Sequence, residues 1–133
     1  MSFTKGNKKQ VLTAILIITS AYFFSCKKKT TPTPTQSLPA VVSFNNDIMS
    51  VFNAHCNTSG CHSGGSPAAG LNLSQSVAYS QLFTKHEIDT ANVSNSNLYI
   101  QVASGQMPQT GGKLSDYNIS LILKWIQQKA KNN

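Results

Sequence analysis

Residues 56–62 read CNTSGCH and bring two cysteines and a histidine into a segment of seven residues. The residues before this segment recur at the three- and four-residue spacing of an amphipathic helix. They are Phe44, Ile48, Val51, Phe52 and His55. Asn45 or Asn46 is placed to cap this helix, and Asp47 suits its first turn. The sequence therefore predicts a helix that runs directly into the CNTSGCH segment.

The pattern of the segment is C-x4-C-H, an expansion by two residues of the C-x-x-C-H signature of covalent haem attachment. Two thiols can add to the two haem vinyl groups as thioethers, and the neighbouring imidazole then binds the iron as its proximal ligand. Cys56, Cys61 and His62 fit these roles. Gly60 allows the intervening residues to bulge outward and leave the two sulfur atoms near the usual vinyl separation. The sequence thus predicts one covalently attached haem c.

Two other interpretations of the same cysteines stay open from the sequence. In an oxidising compartment Cys56 and Cys61 could form a disulfide, with His62 an incidental surface residue, and the chain would then be a haem-free binding module. A zinc site would need further ligands, and the sequence has no second Cys/His pair to complete a tetrahedral set. The adjacent histidine favours the haem interpretation.

The first residues of the chain have the pattern of a bacterial lipoprotein signal. Lysines precede an apolar run at residues 11–24, and Cys26 follows shortly after it. This run of 14 residues is shorter than the ~20 that a membrane-spanning helix needs. We interpret residues 1–25 as a signal peptide and Cys26 as the lipidation site. Phe23 and Phe24 depart from the usual lipobox, and an uncleaved signal anchor is the alternative.

A low-complexity segment separates this signal from the rest of the chain. Residues 27–39 read KKKTTPTPTQSLP, and their prolines favour an extended, solvated backbone. We therefore predict a lipid anchor and tether at residues 26–39 and a single domain at residues 40–133. This organisation predicts a protein of the bacterial cell envelope that faces the periplasm or the cell exterior. We expect the domain to be monomeric.

The formal net charge of +7 lies mostly outside the predicted domain. Residues 40–133 contain five lysines and four acidic residues, so the domain is nearly neutral. A nucleic-acid-binding domain would have a basic patch or stripe, and this domain lacks the charge for one. The four carboxylates are scattered, and no Ser/His/Asp or paired-acid spacing is present, so we do not expect an enzyme.

Three further helices are predicted in the domain. Their ranges are residues 75–84, residues 97–103 and a last helix that opens at Ser115-Asp116, with Ser74, Ser96 and Ser115 as N-caps. The last helix has the broadest apolar face, which comprises Ile119, Ile122, Leu123, Trp125 and Ile126. We expect this helix to cross the first one and to close the haem pocket.

Several features together resemble a known family. They are the helix at residues 44–56, the segment Ala69-Gly70-Leu71, Met107-Pro108 in a Gly-rich loop, and a closing helix from Leu114-Ser115 with Lys124-Trp125-Ile126. Over residues 43–132 the chain resembles a small class I-type cytochrome c domain, in particular the single-haem lipoprotein forms of Gram-negative bacteria. The resemblance implies an all-α, cytochrome c-like fold of about four helices around a covalently bound haem, and single-electron transfer with redox partner proteins.

The resemblance also implies the axial ligands of the iron, His62 as the proximal one and Met107 as the distal one. Met107 lies in a Gly-containing loop rather than on an apolar helical face, which weakens the case for a core methionine. His86 is the alternative sixth ligand, whereas His55 is too close to the cysteines to reach the opposite haem face. We expect a carbonyl oxygen from residues 67–70 to orient His62. Without a sixth ligand the protein would be a gas-binding or peroxidatic haem protein.

Overall fold

The regular secondary structure of the domain is helical. In the computed structural model of the chain, residues 36–133 are described, and no strand occurs among them. The helices are α1 (Met49–His55), α2 (Ala78–Thr84), α3 (Asn97–Ser104) and α4 (Asp116–Gln127). A π-helical turn at Phe44–Ile48 leads into α1, and short 3-10 turns lie at Ala68–Gly70 and Val93–Asn95. The prediction of an all-α domain is confirmed.

The predicted signal peptide at residues 1–25, the lipidation site Cys26 and most of the tether lie outside the described residues. Within residues 36–133, no helix combines the length and the apolar character that a membrane crossing requires.

The first helical segment begins at Ser43, and the predicted caps Asn45 and Asn46 were wrong. The Ser43 hydroxyl oxygen accepts a hydrogen bond from the Asn46 backbone N–H at 3.2 Å. In return, the Asp47 carboxylate accepts one from the Ser43 backbone N–H at 2.8 Å. These reciprocal bonds satisfy two backbone donors at the helix start, in the manner of a capping box. The serine therefore caps the segment in place of the asparagines that follow it.

Helix α2 begins at Ala78, three residues later than the sequence predicts. The Ser74 carbonyl oxygen accepts hydrogen bonds from the backbone N–H groups of Val77 and Ala78, at 2.9 and 2.8 Å. The Ser74 hydroxyl donates to the Asn57 side-chain oxygen at 3.4 Å instead of capping the helix. Residues 75–77 form a turn before the helix, and the Ser74 side chain is bonded to a distant part of the chain.

Helix α3 matches its predicted range to within one residue, and Ser96 occupies the N-cap position as predicted, but its side chain makes no capping hydrogen bond. The Ser96 hydroxyl accepts from the Asp89 backbone N–H at 2.8 Å and donates to the Asp89 carbonyl oxygen at 3.1 Å. Ser96 is 1% exposed, so it fastens the preceding loop to the domain interior. Gly105 ends α3 with a φ of 77°, a left-handed conformation that glycine adopts without steric cost.

Helix α4 begins at the predicted cap, where the Ser115 hydroxyl oxygen accepts from the Asn118 backbone N–H at 3.2 Å. Its buried residues are Leu121, Ile122, Trp125 and Ile126. Trp125 is fully buried, and its ring centroid lies 5.2 Å from that of Phe44 in the π-helical turn. The first and last helical segments therefore share one core, as the sequence predicts, around an aromatic contact.

The two ends of the described chain are hydrogen-bonded together. The backbone carbonyl oxygen of Asn133 accepts from the Ser43 hydroxyl at 2.8 Å, and its side-chain oxygen accepts from the Phe44 backbone N–H at 3.0 Å. Nearby, the Gln128 side chain accepts from the Val42 backbone N–H at 2.9 Å and donates to the Ala40 carbonyl oxygen at 2.8 Å. Residues 40–44 are thereby fastened to the end of α4.

Candidate functional site

Four sequence-predicted residues line a single cavity of about 240 Å³: Cys56, Cys61, His62 and Met107. Apolar side chains make up much of the remaining wall, and these are Leu71, Leu73, Leu98 and Val102. The cavity thus brings two thiols, an imidazole and a thioether to one largely apolar space, although Met107 is distant from the other three in sequence.

His62 is fixed by three hydrogen bonds. Its backbone N–H donates to the Cys56 carbonyl oxygen at 3.1 Å, and its carbonyl oxygen accepts from the Leu73 backbone N–H at 2.7 Å. Its ring Nδ1 lies 3.1 Å from the Leu71 carbonyl oxygen. A carbonyl can only accept, so this contact assigns the proton to Nδ1 and leaves the Nε2 lone pair free to bind a metal.

The predicted source of this orienting carbonyl is wrong by one residue. We expected it from residues 67–70, and the structure provides it from Leu71. Two of the four expected carbonyls are engaged locally, since the Gly70 backbone N–H donates to Pro67 and the Leu71 backbone N–H donates to Ala68. Leu71, with extended backbone dihedral angles, is the first residue beyond the turn and its carbonyl remains available.

The backbone between the two cysteines bulges as the sequence suggests. The Cys61 backbone N–H donates to the Thr58 carbonyl oxygen at 3.0 Å, which closes a tight turn, and Gly60 has a φ of 80°. A Cβ atom added to Gly60 would meet nothing within 4 Å. The glycine is therefore required by its left-handed backbone conformation and not by lack of space.

The two thiols differ in their surroundings. Cys56 is 8% exposed, whereas Cys61 is half-buried, and neither is bonded to another cysteine. Burial of Cys56, with a smaller contribution from the nearby Cys61, raises the pKa of the Cys56 thiol to about 11. A thiol reacts as its thiolate, so in the haem-free chain Cys61 is the more available nucleophile at neutral pH.

Met107 is placed by the loop that follows α3. Its backbone N–H donates to the carbonyl oxygen of Gln101 on that helix at 3.0 Å, so the chain folds back after Gly105. Pro108 and Gln109 also line the cavity beside it. The loop that contains Met107 therefore closes one side of the space that His62 faces.

The two other histidines occupy different positions relative to this cavity. His86, the alternative ligand, is exposed and does not belong to the cavity lining. His55 is exposed as well, but it lies at the cavity edge beside Cys56. The structure thus brings Met107, and not His86, to the cavity of the cysteines.

The expectation that α4 closes the pocket is wrong, because none of its residues lines the cavity. Helix α3 takes that place through Asn97, Leu98, Gln101 and Val102. The broad apolar face of α4 packs in the core around Trp125, whereas apolar residues of α3 line the cavity. Apolar periodicity identifies both helices but does not say which of them faces a ligand.

A polar wall of the cavity was missed by sequence reasoning. It consists of Glu87, Asn97 and Gln101. The Glu87 carboxylate accepts from the Asn97 side-chain amide at 2.7 Å, and the Asn97 side-chain oxygen accepts from the Gln101 amide at 3.3 Å. The four-residue spacing of Asn97 and Gln101 on α3 is a signal in the sequence. Glu87 comes from an irregular loop and has no such signal.

Two thiols, an imidazole and a thioether are the side-chain types that a covalently held haem would use. Among residues 36–133 there is no group of three or more His, Cys, Asp or Glu side chains that could hold a metal ion. A haem would instead use the thiols for attachment and the imidazole and thioether as axial ligands. The cavity volume of about 240 Å³ is below the ~300–1,000 Å³ of typical ligand pockets.

Comparisons with known proteins add no family to this description. No family model matches the chain, no curated protein matches it, and no solved structure matches it.

Proposed function

We propose that the protein is a membrane-anchored c-type cytochrome that transfers single electrons through one haem c. The observation that supports this proposal is the convergence of Cys56, Cys61, His62 and Met107 on one apolar cavity. The cytochrome c-like character of the helical fold belongs to the same proposal.

Each of the four residues has a distinct part in the proposed site. Cys56 and Cys61 would attach the cofactor covalently, and the His62 imidazole and the Met107 thioether would be the ligands of its iron. When bound, the haem supplies a one-electron couple between ferric and ferrous iron. The Leu71 carbonyl keeps the His62 ring oriented and increases the basicity of the imidazole. The neutral thioether of Met107 favours the ferrous state and so raises the reduction potential relative to a second histidine.

The proposed cellular context rests on the sequence of residues 1–39. A lipid on Cys26 would anchor the chain, and the tether would let the domain approach redox partner proteins. Lys27, Lys28 and Lys29 directly follow Cys26 in the sequence, so in a lipid-anchored chain they would be close to anionic headgroups, with a contribution on the order of 1 kcal/mol each. We propose that the domain acts as a monomer in the bacterial cell envelope, without nucleic-acid binding or catalysis of its own.

A pyridine haemochrome spectrum tests the proposal. The full chain is produced in a bacterium that exports it and has a cytochrome c maturation system, and the purified protein is denatured before measurement. A spectrum with both vinyl groups saturated is expected, with loss of one thioether in Cys56→Ser and in Cys61→Ser. Absence of haem, together with a Cys56–Cys61 disulfide by mass spectrometry, would instead identify a haem-free binding module.

Cys26→Ala provides the matched cysteine control. This variant should retain the haem spectrum of the wild type but fail to incorporate labelled fatty acid, because its change lies outside the haem-binding segment. If the wild type also incorporates no fatty acid and stays in the membrane fraction, residues 1–25 are an uncleaved signal anchor.

A further inference from the structure

Glu87 lines the cavity that contains His62 and Met107. The residue is half-buried, and its carboxylate accepts a short hydrogen bond of 2.7 Å from the side-chain amide of the exposed Asn97. Its backbone is fixed on both sides, since its N–H donates to the Leu82 carbonyl oxygen at 2.8 Å and its carbonyl accepts from the Leu98 N–H at 3.1 Å. The acid therefore has a defined place at the cavity wall.

The other three carboxylates of the domain have different surroundings. Asp47 accepts from the Ser43 backbone at the helix start, and Asp89 accepts from the backbone N–H groups of Ala91 and Asn92. Asp116 is exposed in the first turn of α4. None of these three lines the cavity. Glu87 is thus the domain carboxylate placed to act on a group bound there.

We propose that Glu87 sets the reduction potential of the haem by holding a negative charge beside it, an inference that rests on the proposed function. A fixed negative charge stabilises the ferric state, which carries one more positive charge than the ferrous state. Local charge, hydrogen bonding and burial are the means by which a protein adjusts the potential of an iron cofactor. Glu87 therefore lowers the potential, in opposition to the Met107 thioether, which raises it.

The side-chain amides of Asn97 and Gln101 form a chain of hydrogen bonds that ends at the Glu87 carboxylate. The Gln101 amide donates to Asn97, and the Asn97 amide donates to Glu87, so successive dipoles point toward the carboxylate. Hydrogen bonds of this kind stabilise a charged acceptor and polarise one another. They hold the carboxylate in place at the polar wall formed by Glu87, Asn97 and Gln101.

The test compares midpoint potentials of the haem-loaded full chain by spectroelectrochemical titration. Glu87→Gln removes the charge but keeps an oxygen that can accept from Asn97, and Asp116→Asn makes the same charge change away from the cavity. We expect Glu87→Gln to shift the potential to a more positive value and Asp116→Asn to leave it near the wild-type value. Glu87→Asp, which restores the charge, should return the potential toward that of the wild type.

Two further readouts separate charge from structure. The shift in Glu87→Gln should be larger at low ionic strength than at 1 M salt, because the hydrogen bond between Glu87 and Asn97 is exposed and exposed charges are screened within about 3 Å at 1 M. Its thermal unfolding midpoint should stay close to that of the wild type, because the hydrogen bond to Asn97 is conserved. Equal potentials in wild type and Glu87→Gln, with haem attached, would overturn the role of Glu87 alone. A chain without covalent haem would overturn the proposed function as well.

Discussion

The ring Nδ1 of His62 lies 3.1 Å from the carbonyl oxygen of Leu71, and the backbone N–H of Leu73 donates to the carbonyl oxygen of the same histidine at 2.7 Å. The segment that follows the 3-10 turn therefore fixes both the ring and the main chain of His62. Met107, on the other side of the cavity, is placed through the Gln101 carbonyl. The histidine side of the site is therefore held by more hydrogen bonds than the methionine side.

Met107→Leu should open the sixth coordination position of the ferrous protein to carbon monoxide. Leucine has a similar volume but no sulfur, so the change removes a ligand with little loss of packing. The measurement is an optical titration with carbon monoxide. Met49→Leu is the control, because Met49 is buried in the core, does not line the cavity and should leave carbon monoxide binding unchanged. Equal binding by the wild type and Met107→Leu would mean that the iron has no methionine ligand.

The haem-free chain should lose stability between about pH 9 and pH 11. Burial raises the pKa of the Cys56 thiol to about 11 in the folded state. The unfolded chain releases this proton at its ordinary pKa, near 9, while the folded chain retains it. The contribution of the protonated Cys56 thiol to the free energy of unfolding is therefore complete below pH 9. It is lost as pH rises toward 11, and the free energy of unfolding then falls by on the order of 3 kcal/mol.

Urea unfolding across this pH range measures the effect. Cys56→Ser should show a smaller decrease in the free energy of unfolding, because its hydroxyl does not titrate there. The haem-loaded protein, whose Cys56 sulfur is a thioether, should also lack this contribution. A decrease of the same size in Cys56→Ser would assign the pH dependence to other groups.

Cys61 should react with a thiol reagent faster than Cys56 in the folded, haem-free chain. Cys61 is more exposed, and the raised pKa of Cys56 suppresses its thiolate at neutral pH. We expect a rate ratio of about tenfold or more, measured by alkylation and mass spectrometry. In denaturant the two rates should become similar, and a ratio that survives denaturation would not come from the fold.

Gly60→Ala should destabilise the haem-free domain by about 1–2 kcal/mol, because Gly60 has a φ of 80° and alanine is strained there. Gly65→Ala is the matched control, since Gly65 is not among the glycines with positive φ and an added Cβ atom also meets nothing within 4 Å. Urea unfolding of both variants gives the comparison. Equal stabilities would show that the bulge between the cysteines tolerates another conformation.

Local pattern predicts the helices of this domain well, and their N-terminal caps less well. Ser115 caps α4 as predicted because its hydroxyl has no competing long-range partner among the described residues. Ser74 and Ser96 have the same local sequence signal, but Asn57 and Asp89 engage their hydroxyls. A cap is a local property only where the tertiary structure offers the side chain no better partner.

The residues of the candidate site also differ in how far the sequence alone predicts them. The spacing of Cys56, Cys61 and His62 is local, so the sequence alone could group them. The placement of Met107 in the same cavity depends on how α3 and the following loop fold back. Glu87 could not be predicted, because an irregular loop brings it to the wall and its hydrogen bond to Asn97 spans two elements.

The fastening of residues 40–44 to Gln128 and Asn133 has a mechanical consequence for a tethered domain. A force applied along the chain from residue 39 would enter the domain at these hydrogen bonds and pass to α4 and the aromatic core. None of the residues on this route lines the cavity. A pull on the tether would thus load the hydrogen bonds of residues 40–44 with Gln128 and Asn133 before it reached α1 and Cys56 further along the chain.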